Sequence, residues 1–484
     1  MYLGLDLGTS GIKALLLDGA QRIVASATVA LEVSRPHSGW SEQHPADWIR
    51  AADEAIGALK ASHGEALAAV KGIGLSGQMH GATLLDASDR PLRPCILWND
   101  TRSHAEAAEL DSDPRFRKVT GNIVFPGFTA PKLVWVRRNE PDIFAATKKV
   151  LLPKDYLRLW LTGEHVSEMS DAAGTSWLDV EKRRWSPELL AFTGLDETHM
   201  PRLVEGTERA GTLRGELAGS WGLGAGVTVA GGAGDNAASA CGAGTVEPGA
   251  AFVSLGTSGV LFASNGAYLP NPESAVHTFC HALPDTWHQM GVILSATDSL
   301  NWLAGITGRK AGELTAELGE ELKPPSGVTF LPYLSGERTP YNDAVIRGSL
   351  TGLSHQSDRA ALTQAVVEGV AFAFRDSLEA LKQAGTDIAR VTAIGGGSRS
   401  TYWLKAIATA LNLPVDVPAE GDFGAAFGAA RLGLIAAEGA DPLSVCTPPR
   451  ISATVEPDRA LAPAFEASYR RYRDLYPAIR GVSS

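Results

Sequence analysis

Leu7-Gly8-Thr9-Ser10-Gly11 recurs as Leu255-Gly256-Thr257-Ser258-Gly259. The first copy follows the apolar run Tyr2 to Leu5, which Asp6 closes, and precedes the apolar stretch Ile12 to Leu17, which stops at Asp18-Gly19. In the second, Ala250 to Ser254 leads in, Val260 to Ala263 leads out, and Asn265-Gly266 marks the turn. Each context reads as strand, tight turn, strand. Glycine lets backbone N–H groups approach a ligand closely, and Thr and Ser add hydroxyl donors. Gly8, Thr9 and Ser10, with Gly256, Thr257 and Ser258, therefore read as two phosphate-gripping turns. One copy alone reads equally well as an ordinary turn. Repetition in matched contexts instead signals a duplicated architecture, with a polyphosphate held between two lobes. No Walker A string, G-x-x-x-x-G-K-[ST], is present.

The length of 484 residues exceeds what one core usually serves, so two domains are expected, 1–244 and 245–484, divided where Glu247-Pro248-Gly249 breaks the chain. Short apolar runs (Val70 to Leu75, Ala82 to Leu85, Val227 to Ala230, Val328 to Leu331, Val391 to Ile394) alternate with helical patterns such as Pro45 to Lys60 and Ala360 to Gln383. That interleaving predicts α/β layers. A formal net charge of −11 argues against nucleic acid or an anionic membrane surface as partner and favours a small ligand. Cys95, Cys241, Cys280 and Cys446 form no C-x-x-C pair, and no apolar run reaches the length of a membrane span, so a cytoplasmic protein with reduced thiols is expected.

Two carboxylates stand where chemistry is expected. Gly231-Gly232-Ala233-Gly234-Asp235-Asn236 joins the strand Val227 to Ala230 to a helix expected near Asn236, and it presents Asp235 at the mouth of a bare turn. Asp235 reads as a catalytic base or as an N-cap. Asp6, beside the first turn, would repel phosphate oxygens unless a cation intervened, so it reads as a Mg²⁺ ligand or as a turn cap. Lys13 adds positive charge near the phosphates or is a solvated hairpin lysine. Gln78-Met79-His80-Gly81, with Trp98-Asn99-Asp100 and Arg102 nearby, reads as a sugar grip at a strand end, His80 reading equally as a satisfied semi-buried histidine.

Two other patterns are decoys. Gly72 to Gly77 matches G-x-G-x-x-G, but its glycines lie within a strand and another strand follows. His277, Cys280, His281 and His288 fit no standard zinc spacing. Gly395-Gly396-Gly397, after the strand Val391 to Ile394, reads as a surface for a flat group such as adenine or as a plain loop. Gly421 to Ala430 reads as a closely packed helix.

Together these residues resemble the FGGY carbohydrate kinases, within the wider ASKHA group of actin, hexokinase and Hsp70. Asp6 to Ser10, Ser254 to Ser258, Gly395 to Gly397 and Gly234 to Asn236 are similar to that family's first phosphate, second phosphate, adenosine and catalytic motifs. Gly127 to Asn139, with Lys132 and Trp135, fits one family signature; Gly348 to Glu368 fits the other except at Ala361. The resemblance implies a two-domain α/β, ribonuclease H-like fold with ATP and sugar in the interdomain cleft. It implies ATP and Mg²⁺ as cofactors, with Asp235 as catalytic base and Asp6 and Asp235 at the metal. Gln78, Met79, His80, Trp98, Asp235 and Asn236 would hold the sugar, and Gly8, Thr9, Ser10, Lys13, Gly256, Thr257, Ser258, Gly396 and Gly397 the nucleotide. Gly39 to Gln43, Gly77 to Gly81, Pro153 to Leu157 and Gly336 to Pro340 are most similar to members acting on D-xylulose. Glycerol-phosphorylating members carry Arg-Glu where Met79 and His80 stand. The reaction implied is transfer of the γ-phosphoryl group to the terminal hydroxyl of D-xylulose, the alternative being another ketose or polyol such as ribulose or glycerol. Homodimers are common in the family.

Overall fold

The computed structural model describes residues 1–419 and 423–483. The opening hairpin is β1 (Tyr2–Leu7) and β2 (Gly11–Leu17), paired antiparallel, with β3 (Ile23–Ala30) outside β2. On the other side β1 runs parallel to β4 (Gly72–Gly77). Beyond β4 come β5 (Arg209–Thr212) and β6 (Thr228–Ala230), in the order β5-β6-β4-β1-β2-β3, with β7 (Ala233–Gly234) also on β4.

The second sheet repeats this plan. β8 (Ala251–Leu255) and β9 (Gly259–Asn265) form the hairpin, with β10 (His277–Cys280) and β11 (Trp287–Ile293) beyond β9. β12 (Val391–Ile394) and β13 (Val415–Pro418) run parallel to β8 on the far side, and β14 (Ile451–Val455) closes antiparallel. The order is β10-β11-β9-β8-β12-β13-β14. Each sheet thus has a hairpin, a third antiparallel strand on one side and parallel strands on the other, the duplication that the repeated pentapeptide predicts.

The helices that frame the two sheets and the space between them are α1 (Pro45–Ala68), α2 (Thr129–Asn139), α3 (Pro153–Thr162), α4 (Met169–Ala172), α5 (Asp235–Ala243), α6 (Thr297–Thr307), α7 (Arg359–Gln383), α8 (Thr401–Leu411), α9 (Ala425–Glu438) and α10 (Ala462–Ser483). α1 covers the first sheet through Trp48, Ala52, Ile56 and Leu59, all buried at the i, i+4 spacing of an amphipathic helix. α7, α8 and α10 enclose the second core with Val370, Phe374, Ile407 and Tyr472. Among the described residues no helix is long and apolar enough to cross a membrane.

α9 follows the second sheet in sequence but packs on the first. A Cβ on Gly74 would lie 1.7 Å from the Ala429 carbonyl oxygen, and one on Gly4 1.9 Å from that of Ala426. A Cβ on Gly428 would lie 1.8 Å from the Ala238 carbonyl oxygen of α5. Backbone meets backbone across this seam, which only glycine permits. The G-x-G-x-x-G segment is therefore a packing surface in β4, followed by another strand as its context predicts. The close-packed helix expected at Gly421 to Ala430 begins at Ala425; Gly421 lies outside the described residues.

Candidate active site

β1 extends through Leu7 because Asp6 and Leu7 pair with Ser76 and Gly77 of β4, so Asp6 lies inside a strand rather than ending it. Lys13 stands directly across from Asp6 in the hairpin, so it belongs to the strand pair and not to the turn. Gly8 N–H donates to the Gly11 carbonyl at 2.9 Å, closing the first Gly-Thr-Ser turn with Thr9 half-buried and Ser10 exposed.

Thr9 is tied to Gln78 and Trp98. Its hydroxyl donates to Gln78 Oε1 at 3.2 Å and accepts from the Trp98 indole N–H at 2.9 Å. Gln78 Nε2 donates to Gln43 Oε1 at 3.0 Å, and Gln43 Nε2 donates to the Thr9 carbonyl at 2.8 Å. This ring of bonds couples the first Gly-Thr-Ser turn and the strand end at Gln78 into one rigid unit. Trp98 remains 48% exposed, its ring open to solvent beside the turn.

In the second turn the carbonyl of Gly256 accepts from the Thr297 N–H at 3.0 Å and hydroxyl at 2.7 Å, and that of Thr257 accepts from the Ala296 N–H at 2.9 Å. The start of α6 thus draws the turn's carbonyls into the protein, while Thr257 and Ser258 stay exposed. Gly395 to Gly397 close over the same place: a Cβ on Gly397 would lie 2.8 Å from Leu255 Cβ. Gly396 has nothing within 4 Å of such an atom, so it faces open space.

α5 begins at Asp235, one residue before the expected start, with Gly234 as N-cap. Asp235 is therefore the first helical residue and not the cap. Its Oδ1 accepts from the Asn236 N–H at 2.7 Å and from Asn236 Nδ2 at 2.9 Å. Burial, and then the nearby charge of Asp6, push its carboxyl up to about 6, closer to the pKa a general base uses at neutral pH.

The turn leading to Asp235 rests on a buried charge cluster that the sequence reading missed. Gly234 N–H donates to Ser170 Oγ at 3.0 Å, and Arg158 donates to the Gly231 carbonyl. Ser170 Oγ donates to Glu168 Oε1 at 3.0 Å. Lys154 Nζ lies 2.9 Å from Asp155, 3.2 Å from Glu168 and 2.8 Å from Asp171, all wholly buried. Burial raises the Asp171 carboxyl to about 8. Of these residues, sequence reading noted Lys154 and Asp155 in the stretch Pro153 to Leu157, without a role.

Met79 and His80 complete the strip. Met79 is buried, and the position of a Cβ on Gly234 would be 3.0 Å from its sulfur, which places it against the turn before Asp235. His80 adopts φ 70° and is held from three sides. Its carbonyl accepts from Lys132 Nζ at 2.9 Å and Thr129 Oγ1 at 3.1 Å, its ring stacks on Phe128 at 4.5 Å, and its Nδ1 meets the Gly174 carbonyl at 2.7 Å. Thr129 and Lys132 share one face of α2 at i, i+3. A carbonyl only accepts, so Nδ1 carries the proton. Burial first, then the Lys132 charge, hold the ring's pKa down to about 3, so Nε2 presents a lone pair at neutral pH. A Cβ on Gly174 would lie 2.3 Å from His80 Cε1, so that glycine is required.

Among the described residues no group of three or more His, Cys, Asp or Glu is arranged to hold a metal, and His277, Cys280, His281 and His288 pack into aromatic surroundings. All four cysteines are free and buried.

The model of the FGGY family of carbohydrate kinases matches through its N-terminal domain at residues 1–242 and its C-terminal domain at residues 251–437. The chain is similar to the xylulose kinase of Escherichia coli (strain K12), at 49% identity over 484 residues, 99% of each. It is 50% identical over 438 residues to the xylulose kinase of Klebsiella pneumoniae, covering 90% of each. A solved structure described as a xyloylose kinase from Brucella ovis superposes with a TM-score of 0.99 at 71% identity, covering 99% of both chains.

Proposed function

The chain belongs to the FGGY family of carbohydrate kinases, and on that premise we propose that it transfers the γ-phosphoryl group of ATP to the terminal hydroxyl of D-xylulose, giving D-xylulose 5-phosphate and ADP. The observation that carries the reading is Asp235, a carboxylate of raised proton affinity on a rigid turn beside Met79, with His80 in the same strip. An alcohol is a weak nucleophile at neutral pH. Asp235 accepts the proton of the C5 hydroxyl as that oxygen bonds to the γ-phosphorus and the bond to the ADP oxygen breaks. His80 Nε2 accepts from a sugar hydroxyl, and Asn236 and Gln78 orient the rest. N–H and hydroxyl groups of Gly8 to Ser10 and Gly256 to Ser258 hold the phosphates, and Gly396 and Gly397 lie along the nucleoside.

Asp6 and Asp235 fit Mg²⁺: two oxygen donors near enough for one charge to act on the other suit a hard cation that takes few protein ligands and completes its shell with phosphate oxygens and water. Bound there, the ion neutralises phosphate charge. The cytoplasm, where ATP is abundant, is the compartment this activity needs.

A coupled ADP assay over D-xylulose, ribulose, fuculose, rhamnulose and glycerol tests the substrate. The highest kcat/KM is expected with D-xylulose; a preference for any of the others would replace it.

A further inference from the structure

Arg338 takes no part in the steps above, yet it stands at the sugar strip. Its guanidinium lies 3.8 Å above the ring of Phe125, so it reaches from a loop of the second half onto the first. Phe125 packs edge-on against Phe128 at 5.3 Å, and Phe128 stacks on His80, which makes one continuous wall. The charge of Arg338 is near enough to disfavour protonation of both His80 and His277. At the other end of the strip, Asp235 responds to Asp6 and Asn236.

Among the described residues the guanidinium has no ion pair and no hydrogen bond. Its neighbour Glu337 favours the cation electrostatically but makes no bond to the guanidinium: Glu337 Oε1 accepts from the backbone N–H groups of Leu294 at 3.1 Å and Arg338 at 2.7 Å. The loop is nonetheless rigidly held. Thr339 N–H donates to the Val292 carbonyl at 3.1 Å, and the Thr339 hydroxyl accepts from Val292 N–H at 3.0 Å and donates to the Ala275 carbonyl at 3.0 Å. Beside it, His277 Nδ1 is buried without a partner, its ring 5.0 Å from that of Phe125. A half-buried cation with five donors and no acceptor, on a braced loop, is preorganised for a ligand oxygen.

Resting on the reaction proposed above, we infer that Arg338 is a substrate-binding, specificity-determining residue that donates to the carbonyl oxygen at the keto end of the sugar. The chemistry is complementary at both ends of the wall. A keto oxygen only accepts and arginine only donates, whereas His80 Nε2 accepts and needs a hydroxyl. Because Arg338 comes from the second half and His80 from the first, the sugar is gripped by both, and its binding draws them together.

The test is calorimetric binding of D-xylulose and of xylitol, which lacks the carbonyl, to the full chain and to Arg338→Met and Arg338→Lys, with ADP affinity as the measure of an intact fold. Arg338→Met is expected to weaken D-xylulose binding by about tenfold to a hundredfold, the range for a lost charge-assisted hydrogen bond, and to narrow the preference over xylitol. Arg338→Lys is expected to recover part of the loss, and both variants to bind ADP normally. D-xylulose affinity within about twofold of the parent in Arg338→Met would overturn the inference, as would equal losses for D-xylulose and xylitol or a loss of ADP binding in both variants. If the unaltered chain phosphorylates no ketose at all, the proposed reaction fails instead, and the two failures are distinguishable.

Discussion

Asp6 raises the proton affinity of Asp235, although the two lie far apart in sequence, one in β1 and the other at the first turn of α5. Burial contributes more than Asp6 does, and both act in the same direction, as the proposed role of general base requires. The Mg²⁺ site proposed above draws on the same proximity.

Replacing the base should remove turnover and spare nucleotide binding. For Asp235→Ala, kcat is expected to fall at least about a hundredfold, the lower range for losing a general base. Steady-state kinetics with D-xylulose, alongside ADP binding, checks it; near-normal turnover would take Asp235 out of the role.

Asp6→Asn keeps the side chain's shape and removes its charge. The Mg²⁺ concentration for half-maximal activity is expected to rise about tenfold to a hundredfold, as when a partner around a metal is lost. An unmoved Mg²⁺ titration would refute a metal role for Asp6.

The buried cluster behind the catalytic turn should respond to loss of its central cation. Lys154→Met leaves Asp155, Glu168 and Asp171 buried without it, which is expected to cost about 3–5 kcal/mol of stability. Urea unfolding measures this, and a change below about 1 kcal/mol would mean that the cluster is not held by Lys154.

Glu368 is buried in α7, with Oε1 accepting from Gln364 Nε2 at 2.7 Å, and burial pushes its carboxyl up from 4.5 to about 8. Between those values the folded chain holds a proton that the unfolded chain has released. This residue's contribution to stability is therefore fully present below about 4.5 and falls by about 1.4 kcal/mol per pH unit as pH rises towards 8. In Glu368→Gln that slope should vanish, so the variant gains on the parent with rising pH. Parallel stability profiles for the two chains from pH 5 to pH 8 would contradict it.

Much of the site is legible in the sequence. Two hairpins with identical turns, the bare turn before Asp235 and the polar strip at Gln78 to His80 are local patterns, each contained within a dozen or so residues. Backbone conformation there depends on neighbours in sequence, so spacing and residue type suffice. The readings that the structure changes are those in which a distant segment intervenes. Parallel pairing with β4 carries β1 past Asp6, and α5 starts at Asp235.

The sequence by itself determined two matched strand–turn–strand hairpins and a glycine turn ending at Asp235, because each is written in contiguous residues. Only the tertiary structure could set Asp6 beside Asp235, return α9 to the first sheet through a seam of glycines, place a buried ion cluster beneath the turn before Asp235 and bring Arg338 over Phe125. Those relationships join segments far apart in the chain. Close packing and low-dielectric electrostatics act on distance in space, and distance along the sequence does not encode it.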